Sequence, residues 1–578
     1  MDAEKQDKDK IDWRDWTVEA FEEARKANKL VLLDLSASWC HWCHVMDDTT
    51  YSDKEIIRTI NQNFVSVRVD IDKRPDISER YNKGGFPTTA FLSDRGESVW
   101  GGTYVPPESM KQVMKAIAES KSSGEIDSTL ERERQPFLDL SKSLEKDERT
   151  DLKFVDSVFE DIFSTYDIQS GGFGTEPKFP HPDVVDLLLA KFRENGDRTL
   201  AGAVSSTLDH MTEGLYDRPE GGIFRYSMSK DWKQPHYEKM LDTNLGFLRN
   251  LSRARVILND EKYAETAKGV AEYLLGTLMD SQGGGFYSSQ DADEEYYGLT
   301  GPERKGRQVP KVIEEKFAGW NCDAVTTLIE SGVLLDDKRL IDAGRSAWTF
   351  VSEYLWNPEL KLVRHAYGED TYLFDDQVSC LEALLSLTEI ASKDTVAEML
   401  DLMETLVGGV EKAFRHYDGG FGDIIPSSGA IGELAEPRRS LQANSRWARA
   451  YALLGATAFR SEKTDAARKI LDSFSPKTIN SNGLFAADYV LARWTVAKGP
   501  RVVEIHGADA EDITAEPLWL EAKKTLDYAA VIMTARKPPI DIGTDSDRPF
   551  AVICTSAGCS RSITDPVELS KELAGMTK

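Results

Sequence analysis

Residues 12–29 place Trp13, Trp16, Ala20, Phe21 and Ala24 at helical spacing, and the pattern stops at Asn28-Lys29. The β-rich run Leu30 to Leu35 follows, then a helix through Val45 and Met46 and a second over Asp53 to Ile60. Phe64 to Val69 alternates as a strand. Further strands are expected at Thr89 to Leu92 and Ser98 to Trp100, on either side of a turn at Asp94-Arg95-Gly96, and a closing helix over Met110 to Ala118. This order predicts a small α/β domain over residues 1–120.

Residues 121–150 carry few apolar positions and the charged runs Glu131 to Arg134 and Glu145 to Arg149, the pattern of a linker with some helix in it. From 151 the period becomes helical, and glycine-rich turns interrupt it at Gly171-Gly172, Gly221-Gly222, Gly284-Gly285, Gly419-Gly420 and Asn482-Gly483. Their spacing, about 50, 63, 135 and 63 residues, leaves room for a weaker copy near Val363 to Gly368. Six helix pairs that must bury their faces against neighbours close into a toroid, so residues 151–499 are expected to form an (α/α)6 barrel. Residues 500–578 return to strands, at Arg501 to Ile505, Ala530 to Met533 and Phe550 to Cys554, with a last helix at Pro566 to Leu573. They are expected to form a small α/β appendage.

Charge narrows the function classes. The chain has 98 acidic and 71 basic residues, a formal charge of −27, and no basic block offsets it, which disfavours nucleic acid and anionic membranes as partners. No apolar stretch has the length of a secretory or transmembrane segment, so a cytoplasmic location is expected. Six cysteines in 578 residues are too few for a disulfide scaffold. Two pairs at short spacing, Cys40/Cys43 and Cys554/Cys559, point to chemistry, a disulfide or a metal, whereas Cys322 and Cys380 fit buried helix positions.

Cys40-His41-Trp42-Cys43 follows a strand and opens a helix, where free backbone N–H groups and the helix dipole stabilise a thiolate. Dithiol redox chemistry is the leading reading; an idle structural pair and a zinc site are the alternatives. No cofactor is called for. In the barrel, polar residues gather after the glycine turns. Lys178 and His181 follow the first; Arg225, Tyr226, Trp232, His236, Glu238, Lys239 and Asp242 follow the second; Asp291 and Asp293 follow the third; Asp376 opens a later helix. Aromatic faces with carboxylates and a histidine suit a sugar-like ligand, and His236 with Glu238 or Asp242 suits proton transfer. Helix capping and Asx turns are the competing reading for the acidic residues.

Trp39 to Cys43, Asp34 six residues before the first cysteine, and Pro87 before Thr88 together resemble the thioredoxin fold. The resemblance implies that Pro87 is cis and lies against the cysteine pair, that Cys40 attacks, that Cys43 resolves, and that Asp34 accepts a proton. Over nearly the whole chain the sequence resembles the DUF255 family. The resemblance is carried by Cys40 to Met46, Asn63-Phe64-Val65, Asp70 with Arg74-Pro75-Asp76, Gly101 to Tyr104, Gly171 to Pro180, Pro235 to Leu241 and Asp291-Ala292-Asp293. It implies a thioredoxin-like domain joined to a six-hairpin barrel similar to N-acylglucosamine 2-epimerases. A thiol-disulfide oxidoreductase or redox-regulated protein with a carbohydrate-binding barrel is expected. A sugar isomerase, epimerase or other glycan-active enzyme and a non-catalytic binding protein are the alternatives. The partners expected are a protein client or thiol partner at the cysteines and a carbohydrate in the barrel.

Overall fold

The computed structural model describes residues 10–134, 150–458, 460–507, 513, 516–534 and 548–577. The chain divides into two compact units. The first comprises Met1–Asp147 with Asp291–Asp293 and Ile424–Arg438, and the second comprises the rest.

The first unit is built on a five-stranded sheet in the order β1-β3-β2-β4-β5. Its strands are β1 (Trp13–Arg14), β2 (Leu30–Ser36), β3 (Phe64–Asp70), β4 (Thr88–Leu92) and β5 (Ser98–Gly102). The first three run parallel, and β4 and β5 are antiparallel additions. Among the described residues six helices surround it: α1 (Val18–Ala27), α2 (His41–Thr49), α3 (Lys54–Asn63), α4 (Pro75–Tyr81), α5 (Pro107–Ser122) and α6 (Glu125–Glu133). This is the thioredoxin-like arrangement expected, with two differences. The helix expected over 12–29 starts only at Val18, where Thr17 accepts from the Ala20 N–H, because Trp13 packs on the core from an extended edge strand. Burial of a large ring needs no helix, so the apolar spacing of Trp13 was uninformative. Within the expected linker, α6 buries Ile126 and Leu130 among Met110, Met114 and Ile117, which carries this core past residue 120. The remainder of that segment, 135–149, lies outside the described residues.

Segment Ile424–Arg438 is held in the first unit through backbone groups. Arg80 donates to the carbonyls of Glu433 (2.9 Å) and Glu436 (3.1 Å), and the Glu433 N–H donates to Tyr81 Oη at 3.1 Å.

The second unit contains, in order, α7 (Leu152–Ser164), α8 (Pro182–Asn195), α9 (Arg198–Gly214), α10 (Leu241–Ile257) and α11 (Lys262–Tyr273). Two short helices, α12 (Glu294–Tyr297) and α13 (Gly301–Arg304), precede α14 (Ala318–Leu335), α15 (Lys338–Phe350), α16 (Phe374–Glu389) and α17 (Lys393–Ala413). The series ends with α18 (Leu441–Thr457), α19 (Ser461–Asp472), α20 (Pro476–Ser481) and α21 (Ala487–Lys498). Helices α8, α10, α14, α16, α18 and α21 pack each against the next, and α21 returns to α8, so they close a ring. The others of each pair, α7, α9, α11, α15, α17 and α19, lie outside it. The inner helices are covered on the outer side as well, which is why α14 buries residues all round, from Cys322 and Val325 to Asn321 and Ser331.

Four of the turns repeat one device, while at the first the Gly172 N–H donates to Thr207 Oγ1 at 2.9 Å. Past the turn, a backbone amide donates to a side-chain amide near the start of the next inner helix. The pairs are Ile223 with Asn244 (2.8 Å), Phe286 with Asn321 (2.7 Å), Val363 with Gln377 (2.9 Å) and Phe421 with Asn444 (2.8 Å). Val363 is thus a full copy in which no Gly-Gly was needed. The Asn482-Gly483 copy departs from the pattern, since α20 and a 3₁₀ turn at Gly483–Ala486 lead straight into α21. At Gly172, with φ +77°, the ring of Trp232 occupies the place a Cβ would take.

Small strands edge the turns: β6 (Tyr226–Ser227) pairs with β7 (Pro235–His236), and β8 (Lys239–Met240) with β9 (Ser289–Gln290), which pairs with β10 (Val312–Ile313). A further hairpin joins β11 (Trp356–Asn357) to β12 (Leu362–Val363). The C-terminal region forms the sheet β14-β13-β15-β16 from β13 (Arg501–His506), β14 (Ala530–Thr534), β15 (Phe550–Thr555) and β16 (Gly558–Cys559), with α22 (Pro517–Lys524) and α23 (Pro566–Thr577). It belongs to the barrel's compact unit. Trp519 donates to the carbonyl of Glu389, the last residue of α16, at 2.9 Å, and Lys523 pairs with the Glu389 carboxylate. The region therefore covers the C-terminal ends of the inner helices, opposite the glycine turns.

Candidate functional site

Cys40 caps the N-terminus of α2, and its Sγ accepts the Cys43 N–H at 3.2 Å. The two cysteines form a disulfide and are buried. Strand β2 fixes the approach, and Trp39 is anchored by donating to Asp72 Oδ2 at 2.6 Å. Trp42 points outward, 47% exposed, with its ring 5.5 Å from that of Tyr104. The Phe86–Pro87 peptide is cis. Asp34, 1% exposed, receives hydrogen bonds from Arg68 Nε at 2.7 Å and from Tyr51 Oη at 3.4 Å. Burial outweighs the guanidinium, so its pKa rises to about 6.

The barrel encloses a cavity of about 620 Å³ along its axis. Charges from all six inner helices meet there. Arg249 spans Asp183 (2.8 Å) and Asp186 (2.7 Å), Arg253 reaches Glu330 (2.6 Å), and Arg446 reaches Asp323 (2.8 Å) and Glu382 (2.6 Å). Burial would raise Glu330, but Arg253 overrides it and holds the carboxyl at about 2. Asp488 behaves oppositely. Burial first, then the nearby Asp183 charge, push it to about 7. Gln442 Nε2 donates to both, to Asp183 Oδ2 at 3.1 Å and Asp488 Oδ2 at 3.0 Å.

The residues expected from sequence separate into groups. His181, Arg225 and Asp242 line the cavity. His181 adopts φ +46° ahead of Pro182, and burial lowers its pKa, while burial raises that of Asp242. His236 and Glu238 are brought together. Nδ1–H of His236 donates to Oε2 of the fully buried Glu238, whose Oε1 has no partner among the described residues. The His236 ring stacks on Tyr226 (4.8 Å), which stacks on Phe179 (4.6 Å), itself at the cavity wall.

Other residues are used elsewhere. Lys178 is fully buried, donating to Asp167 (2.8 Å) and to the Lys230 carbonyl, with Trp232 against it. Trp232 donates to the Ser170 carbonyl at 2.9 Å. Lys239 donates to Asp217 (2.7 Å) and to the Gly221 carbonyl. Lys178, Trp232 and Lys239, expected as ligand contacts, thus hold glycine turns in place, because a buried ammonium must be paired. Asp376 bonds His365 (2.9 Å) and the Gly319 N–H (2.9 Å), joining neighbouring inner helices. Asp291 and Asp293 cluster with the first unit.

Sequence reasoning missed Asp183, Arg249, Arg446 and Asp488. The signal was present as charged or amide residues at helical spacing, such as Arg249/Arg253 and Gln442/Arg446/Arg449, inside otherwise apolar helices. Such a stripe usually faces solvent; here it faces the axis.

The chain is 31% identical over 348 residues to human spermatogenesis-associated protein 20, covering 56% of this chain and 43% of that protein. It is 29% identical over 371 residues to an uncharacterized protein of Caenorhabditis elegans, covering 60% and 48%. The chain therefore spans less than half the length of these relatives. Among solved structures, a D-mannose isomerase is similar to 61% of this chain over its full length, with TM-score 0.47 and 9% identity. A DsbH oxidoreductase is similar to 18% of this chain and 84% of its own, with TM-score 0.17 and 22% identity. No described helix is long and apolar enough to cross a membrane. Residues 3–147 match the family model Thioredox_DsbH, described as a protein of unknown function, DUF255.

Proposed function

We propose that Cys40 and Cys43 carry out thiol-disulfide exchange on a protein or small-thiol client. The observation that supports this most directly is Cys40 at the helix N-terminus with the Cys43 N–H aimed at its sulfur, which stabilises a thiolate. The Cys40 thiolate bonds one client sulfur, and the other client sulfur leaves as a thiolate. Cys43, giving its proton to Asp34, attacks Cys40 and expels the second client thiolate. The client gains two electrons and the pair becomes the disulfide; an external dithiol reduces it again. A carboxyl near 6 suits that proton. The test is reduction of insulin disulfides by the full chain with dithiothreitol as electron donor. Turnover that vanishes in Cys40→Ala supports the reading, and turnover unchanged by that substitution overturns it.

The barrel's part in this reading is to bind a polar, hydroxyl-rich ligand. The cavity pairs aromatic faces at Phe179 and Phe485 with ionic and amide hydrogen-bonding groups, the combination a sugar ring requires. Beside it, Glu238 fixes His236 with its proton on Nδ1, leaving Nε2 for proton transfer.

A further inference from the structure

We propose that Asp488 and Asp183, bridged by Gln442, form an acid pair that grips a neutral polyhydroxylated ligand in the barrel cavity. This rests on the polar-ligand reading of the barrel and assigns its centre to residues other than His236.

Three observations carry it. First, one amide nitrogen of Gln442 donates to a carboxyl oxygen of each aspartate, so two acids from α8 and α21 meet at one point. Second, their remaining partners differ. Asp183 Oδ1 receives a hydrogen bond from the Arg249 guanidinium at 2.8 Å. Asp488 is 9% exposed and lines the cavity, and the hydrogen bond from Gln442 goes to its Oδ2. Third, Phe485, three residues before Asp488, is 58% exposed and lines the same cavity, with its ring 5.9 Å from that of His181. An exposed aromatic face beside a donor and an acceptor is a platform for a sugar ring.

The protonation states follow from the surroundings. The charges acting on Asp488 are Asp183 of α8 and Arg446 and Arg449 of α18. Burial and Asp183 prevail and hold it at about 7, so at lower pH it keeps a proton to donate to a ligand oxygen while Asp183 accepts from a ligand hydroxyl. A cationic ligand would find the anions already paired with Arg249 and Arg446, and an anionic one would meet Asp183; a neutral polyol meets both a donor and an acceptor. Burial lowers the pKa of His181, against the nearby Asp183 charge, and so favours its neutral form.

The test is calorimetric binding of D-mannose, D-glucose and N-acetyl-D-glucosamine to the full chain at pH 6 and pH 8.5. Affinity for at least one sugar is expected to fall about tenfold or more at the higher pH, as Asp488 loses its proton. In Asp488→Asn, a near-isosteric amide keeps a donor, so binding should persist and its pH dependence disappear. Should that variant not fold, Gln442→Leu, which leaves both acids intact, is expected to shift the midpoint. Binding that is equal at both pH values, or a slope unchanged in both variants, overturns the acid pair and leaves the polar-ligand reading standing. No binding of any of the three sugars overturns both.

Discussion

Arg68 donates through Nε to Oδ2 of Asp34 at 2.7 Å and through Nη2 to Oδ1 of Asp47, while its guanidinium lies 4.4 Å over the ring of Trp13. The cation is thus shared between two carboxylates and an aromatic face, and it does not fully compensate the buried one. Asp34 is raised from 3.8 to about 6, burial being the main cause. A carboxyl raised in the folded state adds stability that is complete below its unfolded pKa and lost as pH rises through 6. The shift corresponds to about 3 kcal/mol. Asp34→Asn should therefore flatten the fall in melting temperature between pH 4 and 7, measured by thermal unfolding of the full chain. An unchanged slope would show that Asp34 titrates normally.

The two cysteines are not equivalent in their surroundings, since the helix N-terminus serves Cys40 alone. Cys43→Ser should leave attack intact and block release, so a mixed disulfide with the client accumulates at Cys40. Intact-mass spectrometry before and after reduction reads it. Cys40→Ser should form no adduct and lose turnover by at least about 100-fold, because a hydroxyl is not ionised near neutral pH. Adducts on Cys43 instead would reverse the assignment.

The first unit was legible because each part has a local signature: a strand before the cysteines, a capped helix after them, and Pro87 before a strand. The glycine turns likewise gave the barrel its period. The copy near Val363 was legible from the spacing alone, although Gln377 rather than a Gly-Gly keeps its place. Two things were hidden for physical reasons. Trp13–Arg14 is too short to show a period. The Asp183–Gln442–Asp488 contact joins residues from the first and last inner helices, so it exists only once the ring closes. Lys178 and Lys239 misled in the other direction, because a polar residue after a turn has the same sequence signature whether it faces a ligand or the turn itself.

The amide clamp should be a stability element common to the repeats. Asn444 is fully buried; its Oδ1 accepts from Phe421, and its Nδ2 donates to the carbonyls of Phe421 (2.9 Å) and Ser440 (2.9 Å). Asn444→Ala would orphan the Phe421 amide and carbonyl at once, costing about 2–6 kcal/mol at about 1–3 per group. Asn444→Asp keeps the acceptor, loses the donor and buries a charge, so it should be no better. Melting of the alanine variants at Asn244 and Asn321 should fall by similar amounts. A clamp that mattered at only one turn would fail this comparison.

Lys178 and Lys239 allow a last separation of structure from binding. Each ammonium is enclosed and pairs with one aspartate, Lys178 also donates to the Lys230 carbonyl and Lys239 to the Gly221 carbonyl, and neither lines the axial cavity. Lys178→Met strands Asp167, and about 3 kcal/mol of stability should be lost. Lys239→Met should cost less, about 2 kcal/mol, because Arg304 still bonds Asp217 at 2.8 Å. Both should lower the melting temperature while leaving sugar affinity at pH 6 within about twofold of the native value, since the groups that meet the ligand are untouched. Arg225→Met, at the cavity wall, should do the reverse: little change in melting and a clear loss of affinity. If the lysine variants lose affinity at unchanged melting temperature, their side chains reach the ligand, and the turn-holding role assigned to them fails.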